Sequence, residues 1–282
     1  METFGVDRGG GGQLAAGAVG TIMQNTRFTN VANSFPLPAS CLSLKKVSEV
    51  KDYYNSSRIP TATIQKSIEE NDGLAPYVVS FSSRGPNPIT RDILKLDLTA
   101  LEAYILAAWS KATTMTKVEG DTRIVLYNII SGTSMSCPHA IAAAAYVKSF
   151  HPTWSPVAVK SALMTTDAEF AYGTGHINPT RAINPGLVYD AGEINYVNFL
   201  CGQGYSNRSL GLVIGDNSSC SQAKKPASHM NYPSFILSSM SKSVITSFFP
   251  RTVTNVGSLV SIYKAIVNAP TGLKVEVIPN VL

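Results

Sequence analysis

The stretch that decides the fold is Ile130-Ser131-Gly132-Thr133-Ser134-Met135-Ser136-Cys137-Pro138-His139, near the middle of a 282-residue chain. It places small, flexible residues around one hydroxyl and leads into an Ala-rich stretch over 140–148, which predicts a buried helix. We therefore expect Ser134 where a glycine-bearing turn enters a helix N-terminus. Free backbone N–H groups and the positive end of the helix dipole favour negative charge there. A serine nucleophile needs such donors, because the carbonyl oxygen of its substrate becomes an oxyanion.

The composition of the chain excludes several classes of protein. A hydrophobic content of 44% with 15% charged residues is typical of an ordered globular chain of about two domains. The net charge of +5 comes from scattered basic residues, which argues against a nucleic-acid partner. No apolar run reaches the length of a membrane helix, and no signal peptide opens the chain. The four cysteines lack C-x-x-C spacing, and no acidic loop has the spacing of metal ligands, so we expect no metal site and no cofactor.

Secondary-structure signals flank this central block on both sides. Ser155 followed by Pro156 predicts the N-cap and first residue of a core helix. The Gly-rich start of the chain, around Gly9–Gly12, is expected to be a tail. Apolar or alternating runs predict a helix over Leu44–Tyr54 and strands over Ala16–Met23, Thr61–Ile64, Val78–Phe81, Arg251–Gly257 and Tyr263–Val267.

The central block, its helix and the following His151-Pro152-Thr153-Trp154-Ser155-Pro156 together resemble the nucleophile region of the subtilisin-like serine peptidases. Val78–Pro88 and Asn184–Asp190 resemble further signatures of that family, and Asp97–Ala100 resembles one of its strands. The cucumisin-like plant enzymes are the most similar branch. The resemblance implies an α/β fold, namely the C-terminal part of a parallel-sheet catalytic domain. A remnant of a protease-associated insert would precede it, and an all-β fibronectin type III-like domain would follow it.

These resemblances predict four regions along the chain. Residues 1–68 would comprise the tail and the insert remnant, and 69–190 the C-terminal portion of the catalytic domain. A connecting segment over 191–225 would lead to a truncated fibronectin type III-like domain over 226–282. An incomplete β-sandwich leaves a strand edge exposed.

By resemblance, the chain is a serine endopeptidase that cleaves polypeptides through an acyl-enzyme at Ser134, whose own backbone N–H helps to bind the oxyanion. The Asp, His and oxyanion Asn blocks of the family precede the insert, within which this sequence begins. We therefore expect the chain to be inactive alone and to require a complementing N-terminal half. The alternative is a non-catalytic relative that binds peptides or proteases. Two departures from the family favour this alternative. Leu101-Glu102 and Leu96 stand where the family has proline and glycine residues that form turns, and the loop over 167–169 is shortened.

None of the four histidines is expected to serve as the base for Ser134. His139 lies five residues further along the same helix, a spacing that turns its side chain away from the hydroxyl. His176 is expected to pack in a Gly-rich turn and His151 to be solvated. His229 has no acidic residue in a suggestive position.

Other features of the sequence favour a secreted protein, and the family resemblance also implies an extracellular location. Three N-glycosylation sequons begin at Asn55, Asn207 and Asn217. Cys201 and Cys220 lie in one loop-rich stretch and are candidates for a disulfide, whereas Cys41 and Cys137 have no obvious partners.

Overall fold

A computed structural model of the chain describes its residues in two compact units. Unit 1 comprises 1–84 and 100–141, and unit 2 comprises 85–99 and 142–282. The residues described within them are 11–24, 31, 33–68, 71, 73, 75, 77–95, 97–164, 173–220, 225–237 and 245–282.

Unit 1 begins with a small parallel ribbon covered by a helix. A short helix, α1 (Gly11–Ala15), precedes strand β1 (Thr21–Gln24), which pairs in parallel with β2 (Ala39–Leu42). Helix α2 (Leu44–Ser56) contacts both strands, with Val47 only 3% exposed. Helix α2 confirms the prediction from the sequence, although it runs two residues further.

The other part of unit 1 is an antiparallel strand pair that leads into the central block. Strand β3 (Ile105–Ala108) pairs with β4 (Tyr127–Ile130), so that Ile105 lies opposite Ile130. Asn128 of β4 is buried on the inner face of the pair, and its amide donates to the Met115 carbonyl at 3.0 Å. Strand β4 ends just before the turn that starts the next helix.

Helix α3 (Thr133–Phe150) and helix α4 (Pro156–Leu163) contribute to the largest apolar core of unit 2. The Ser155 hydroxyl accepts a hydrogen bond from the Ala158 N–H at 3.0 Å and so caps α4, as its position before Pro156 predicts. Eight buried side chains of unit 2 form this core: Ala143, Val147, Ala158, Val159, Ala162, Leu163, Ala182 and Val188.

The remainder of unit 2 is built from short elements. Helix α5 (Pro179–Ala182) precedes β5 (Leu187–Val188), which pairs antiparallel with β6 (Thr254–Asn255). Helices α6 (Glu193–Gly202) and α7 (Asn207–Ile214) enclose a second core formed by Val197, Cys201 and Leu210. A 3-10 helix over Ala227–His229 follows.

Several elements differ from the sequence-based expectations. The strand expected over Ala16–Met23 begins only at Thr21, because Gly17 takes a positive φ of 74° and turns the chain. Gly11 and Gly12 are helical rather than part of a tail. Helix α3 is not buried throughout, since Ile141 is 63% exposed.

Three predicted strands are not formed as expected. Residues 61–64 and 78–81 have no strand pairing, and within 97–100 only Thr99 forms an isolated bridge, to His176. A strand needs a neighbouring backbone to pair its N–H and C=O groups, and its own composition does not supply one. The strand predicted over Arg251–Gly257 is reduced to β6, and that over Tyr263–Val267 to a bridge between Lys264 and Val281.

Candidate active site

Ser134 lies in the first turn of α3 with its side chain exposed. A turn at Ser131-Gly132 joins β4 to this helix, and the Met135 N–H closes it by donating to the Gly132 carbonyl at 2.8 Å. The backbone N–H groups in the first turn of a helix have no acceptors within the helix, so they are available to an incoming anion. The position therefore has the donors and the solvent access that attack on a carbonyl requires.

The turn before Ser134 is held by the segment over 102–104. The Gly132 N–H donates to the Glu102 carbonyl at 2.8 Å, and the Tyr104 N–H donates to the Ser131 hydroxyl at 2.9 Å. Tyr104 has a φ of +56°, a conformation that few residues other than glycine adopt. The backbone therefore makes a tight turn here, although the sequence carries Leu101-Glu102 in place of the glycine and proline that favour turns.

Glu102 is a buried acidic side chain that contacts Ser136, the residue two positions along α3 from the candidate nucleophile. It is 8% exposed, and its carboxylate accepts a hydrogen bond from the Ser136 hydroxyl at 3.3 Å. The same hydroxyl lies 3.1 Å from the Ala100 carbonyl, so one proton is shared between two acceptors. Sequence reasoning missed this contact. The available signal was that Glu102 is the only charged residue between Asp97 and Lys111.

Within unit 1, the described residues place no hydrogen-bond partner on the Ser134 hydroxyl. His139 is occupied elsewhere, because its Nδ1 lies 2.8 Å from the Met135 carbonyl one turn earlier in α3. A ring nitrogen at that distance from a carbonyl oxygen carries the proton and donates it. His139 thus bonds along its own helix and does not contact the serine.

The three histidines of unit 2 also have structural contacts. His151 stacks on Trp154 with 3.8 Å between ring centroids, and its Nε2 lies 2.7 Å from the Ile183 carbonyl, so it is not simply solvated as expected. His176 Nδ1 lies 3.1 Å from the Ile177 carbonyl. The ring of His229 meets that of Phe248 edge to face at 6.4 Å. Each imidazole therefore has a packing role of its own.

Unit 2 contains a charged network around Asp97. Its carboxylate forms ion pairs with Lys160, at 2.8 Å, and with Lys95, and it accepts a hydrogen bond from the Tyr232 hydroxyl. Burial alone would raise the pKa of Asp97, but the hydrogen bonds from Lys160, Lys95 and Tyr232 outweigh it and hold that pKa below its usual value. Burial, together with the neighbouring Asp97 carboxylate, raises the pKa of Tyr232 far above its usual value. Through Asp97, the network joins Lys160 of α4 to Tyr232.

The remaining predicted site residues lie at the surface or in the disulfide. Cys201 and Cys220 are joined, with 5.5 Å between their Cα atoms. Asn55, Asn207 and Asn217 are all exposed, and the side-chain oxygen of Asn207 accepts a hydrogen bond from the Cys220 N–H at 2.9 Å. Cys41 and Cys137 are unpaired and exposed. Leu96 and the loop over 167–169 lie outside the described residues.

Metal ligands and membrane-spanning helices are two further kinds of feature that bear on function. Across the described ranges, no three His, Cys, Asp or Glu side chains lie close enough together to hold a metal ion. In that same part of the chain, every helix is too short or too polar to cross a bilayer.

Comparison with known proteins assigns the class. A model of the subtilase family matches residues 14–204, and a model of a fibronectin type-III domain matches 229–282. The chain belongs to the subtilase family, with its α/β subtilase region followed by a fibronectin type III-like domain.

Its relatives include plant proteases of Arabidopsis thaliana. Subtilisin-like protease SBT4.15 is 46% identical over 283 residues, an alignment that covers 93% of this chain and 37% of that protein. Subtilisin-like protease SBT4.6 is 45% identical over 290 residues, covering 98% of this chain and 39% of that protein. The chain thus spans less than two-fifths of the length of these relatives.

Proposed function

We propose that this chain carries the nucleophile-bearing part of a serine endopeptidase that acts on polypeptides. The observation that supports the proposal most is the exposed Ser134 in the first turn of α3, inside the region that matches the subtilase family. The relatives are named proteases, which supports the same activity.

The proposed reaction is acyl transfer. Ser134 Oγ bonds to the carbonyl carbon of a peptide and gives its proton to a base, while the carbonyl oxygen becomes an oxyanion. The Ser134 backbone N–H is one of the donors to that oxyanion. The peptide C–N bond then breaks and the amine leaves with the proton. Water, deprotonated by the same base, finally hydrolyses the acyl-enzyme and releases Ser134.

The base must come from outside the residues that surround Ser134 in unit 1. His139, the histidine of that unit, is bonded to the Met135 carbonyl. In subtilisin, loss of the base lowers kcat by about a millionfold. Removal of one oxyanion donor costs about a hundred- to a thousandfold. The isolated chain is therefore proposed to be inactive, and a complementing N-terminal half that carries Asp, His and an oxyanion Asn is its proposed partner.

The second candidate function is binding of peptides or proteases without catalysis. The contact of Glu102 favours this function, because its buried carboxylate accepts a hydrogen bond from Ser136, two residues along the helix from the candidate nucleophile. A negative charge near the developing oxyanion opposes its stabilisation. Under this proposal Ser134 has no catalytic role.

An extracellular location is proposed for either function. The Cys201–Cys220 disulfide supports it, since such bonds persist in oxidising compartments. Exposed Asn55, Asn207 and Asn217 are proposed N-glycosylation sites, which also requires entry into the secretory route.

The test is labelling of the chain with a fluorophosphonate probe, alone and after co-expression with the N-terminal half of a relative such as SBT4.15. We expect no labelling of the chain alone, and labelling with peptide cleavage after complementation. Ser134→Ala should abolish both, whereas Ser149→Ala, an exposed serine on the same helix, should leave both intact. A folded, complemented pair without labelling would refute the peptidase proposal and support binding. Labelling of the chain alone would refute its proposed inactivity.

A further inference from the structure

The helix that carries Ser134 contains a proline one turn further along. Pro138 lies inside α3, four residues after the candidate nucleophile. In an α-helix the N–H of residue 138 would donate to the Ser134 carbonyl, but proline has no N–H and its ring crowds that carbonyl. The turn that carries Ser134 therefore lacks one of the backbone hydrogen bonds that would join it to the rest of the helix.

The same turn is attached sideways to the segment over 100–102. The Gly132 N–H donates to the Glu102 carbonyl at 2.8 Å, and the Ser136 hydroxyl lies 3.1 Å from the Ala100 carbonyl. These bonds fix the turn to a neighbouring segment of unit 1. They do not replace the bond that the proline removes, because that bond would run along the axis of the helix.

The side chain of His139 supplies a bond along the axis at this point. Its Nδ1 donates to the Met135 carbonyl at 2.8 Å, so the bond spans Pro138 and ends on the residue that follows Ser134. A carbonyl oxygen has two lone pairs, so this one accepts the imidazole as well as the backbone N–H of residue 139. The ring is half-buried, which limits competition from water for the same carbonyl.

We propose that His139 is a positioning residue for the acyl-transfer reaction. By bonding to Met135 across Pro138, it holds the first turn of α3, and with it Ser134 Oγ, in the orientation that attack on a carbonyl requires. This inference rests on the proposed peptidase function. Precise placement matters because a displacement of about 1 Å in a reacting group lowers the rate by about a hundredfold.

Two variants separate this role from simple packing. His139→Leu fills similar space without a donor, whereas His139→Asn keeps a side-chain N–H near the position of Nδ1. In the chain complemented with the N-terminal half of SBT4.15, we expect His139→Leu to lower kcat for peptide cleavage about tenfold to a hundredfold and to change KM less than about twofold. His139→Asn should recover most of the lost kcat.

His151→Leu is the matched control. His151 follows the last residue of α3, and its Nε2 lies 2.7 Å from the Ile183 carbonyl, so this variant also removes an imidazole–carbonyl hydrogen bond. It should leave kcat within about twofold of the wild type. An equal loss of kcat in His151→Leu, or no recovery in His139→Asn, would overturn the positioning role, because the effect would then be one of general stability or packing.

Nuclear magnetic resonance of the chain alone gives a readout that does not depend on activity. We expect the imidazole ¹⁵N signals of His139 to show the proton on Nδ1 at mildly alkaline pH. Amide hydrogen exchange over 135–137 should accelerate at least about fivefold in His139→Leu and stay near the wild-type rate in His139→Asn and His151→Leu. A bare Nδ1, or unchanged exchange in His139→Leu, would overturn the inference even in an active pair.

Failure of the proposed function gives a different result. A folded wild-type pair that neither cleaves peptides nor reacts with the fluorophosphonate probe would overturn the peptidase proposal, and with it any catalytic role of His139. Accelerated exchange in His139→Leu would still show that the ring holds the first turn of α3.

Discussion

Arg251 joins its own segment to the backbone of residues 228–234, and its replacement is the sharpest stability test that the structure offers. The guanidinium donates to the carbonyls of Tyr232 at 2.6 Å, Ser228 at 2.9 Å, Pro250 at 2.8 Å and Ser234 at 3.1 Å. Its centre also lies 4.6 Å from the ring of Phe235. We predict that Arg251→Met lowers the free energy of unfolding of unit 2 by about 3 kcal/mol.

The magnitude follows from these contacts. A hydrogen bond to a charged group contributes about 1.5–3 kcal/mol, and a cation–π contact about 0.5–1 kcal/mol at partly exposed sites. Arg251 is half-buried, so water replaces part of what is lost and the four bonds do not add fully. Arg251→Lys keeps the charge but lacks the planar fork, so we expect it to lose about half as much.

Urea unfolding followed by circular dichroism gives the overall change, and hydrogen exchange of the amides in 228–236 and 250–257 locates it. Exchange should accelerate in those segments first. Arg208→Met, an exposed arginine on α7, is the matched control and should change stability by less than about 0.5 kcal/mol. The reasoning is refuted if Arg251→Lys is as stable as the wild type, since charge alone would then suffice, or if Arg251→Met matches the control.

Two further predictions concern unit 2. The pKa of Asp97 is lower in the folded chain than in the unfolded chain, so its contribution is fully present above the unfolded pKa of about 4 and is lost as the pH falls through the folded value. Asp97→Asn should therefore destabilise by roughly 2 kcal/mol at pH 7 and flatten the acid limb of a stability-versus-pH curve; an unchanged acid limb would contradict this. Ser155→Ala removes the cap on the Ala158 N–H and the 2.6 Å hydrogen bond to Asp190, and thermal unfolding should show a loss of about 1 kcal/mol. Retention of wild-type stability would show that the cap is dispensable.

Local chemistry allowed parts of the fold to be predicted. Ser155-Pro156 marks the start of α4 because a hydroxyl cap and a proline at the first helical position act within one turn. The helix over 44–54 is present for a similar reason, since its hydrogen bonds are all made within the segment. Family membership was also predictable, because it rests on the order of residues around Ser134.

The strands were the weakest predictions. Residues 61–64 and 78–81 have the composition of strands, but a strand forms only beside the backbone of a neighbouring strand, and among the described residues neither stretch is part of a sheet. Within the predicted strand 97–100, only Thr99 forms a bridge, which pairs it with His176. Pairing between distant segments cannot be read from the alternation of side chains in one of them.

By itself, the sequence determined where the candidate nucleophile Ser134 lies, which helix contains it and which family the chain belongs to, because those depend on neighbouring residues. Only the tertiary structure decided that Glu102 accepts a hydrogen bond from Ser136 and that Arg251 donates to carbonyls up to 23 residues away. It also decided that Tyr232 bonds to Asp97, 135 residues earlier in the chain. Such contacts depend on which distant groups burial brings together, and a buried charge or carbonyl is stable only when a partner arrives with it.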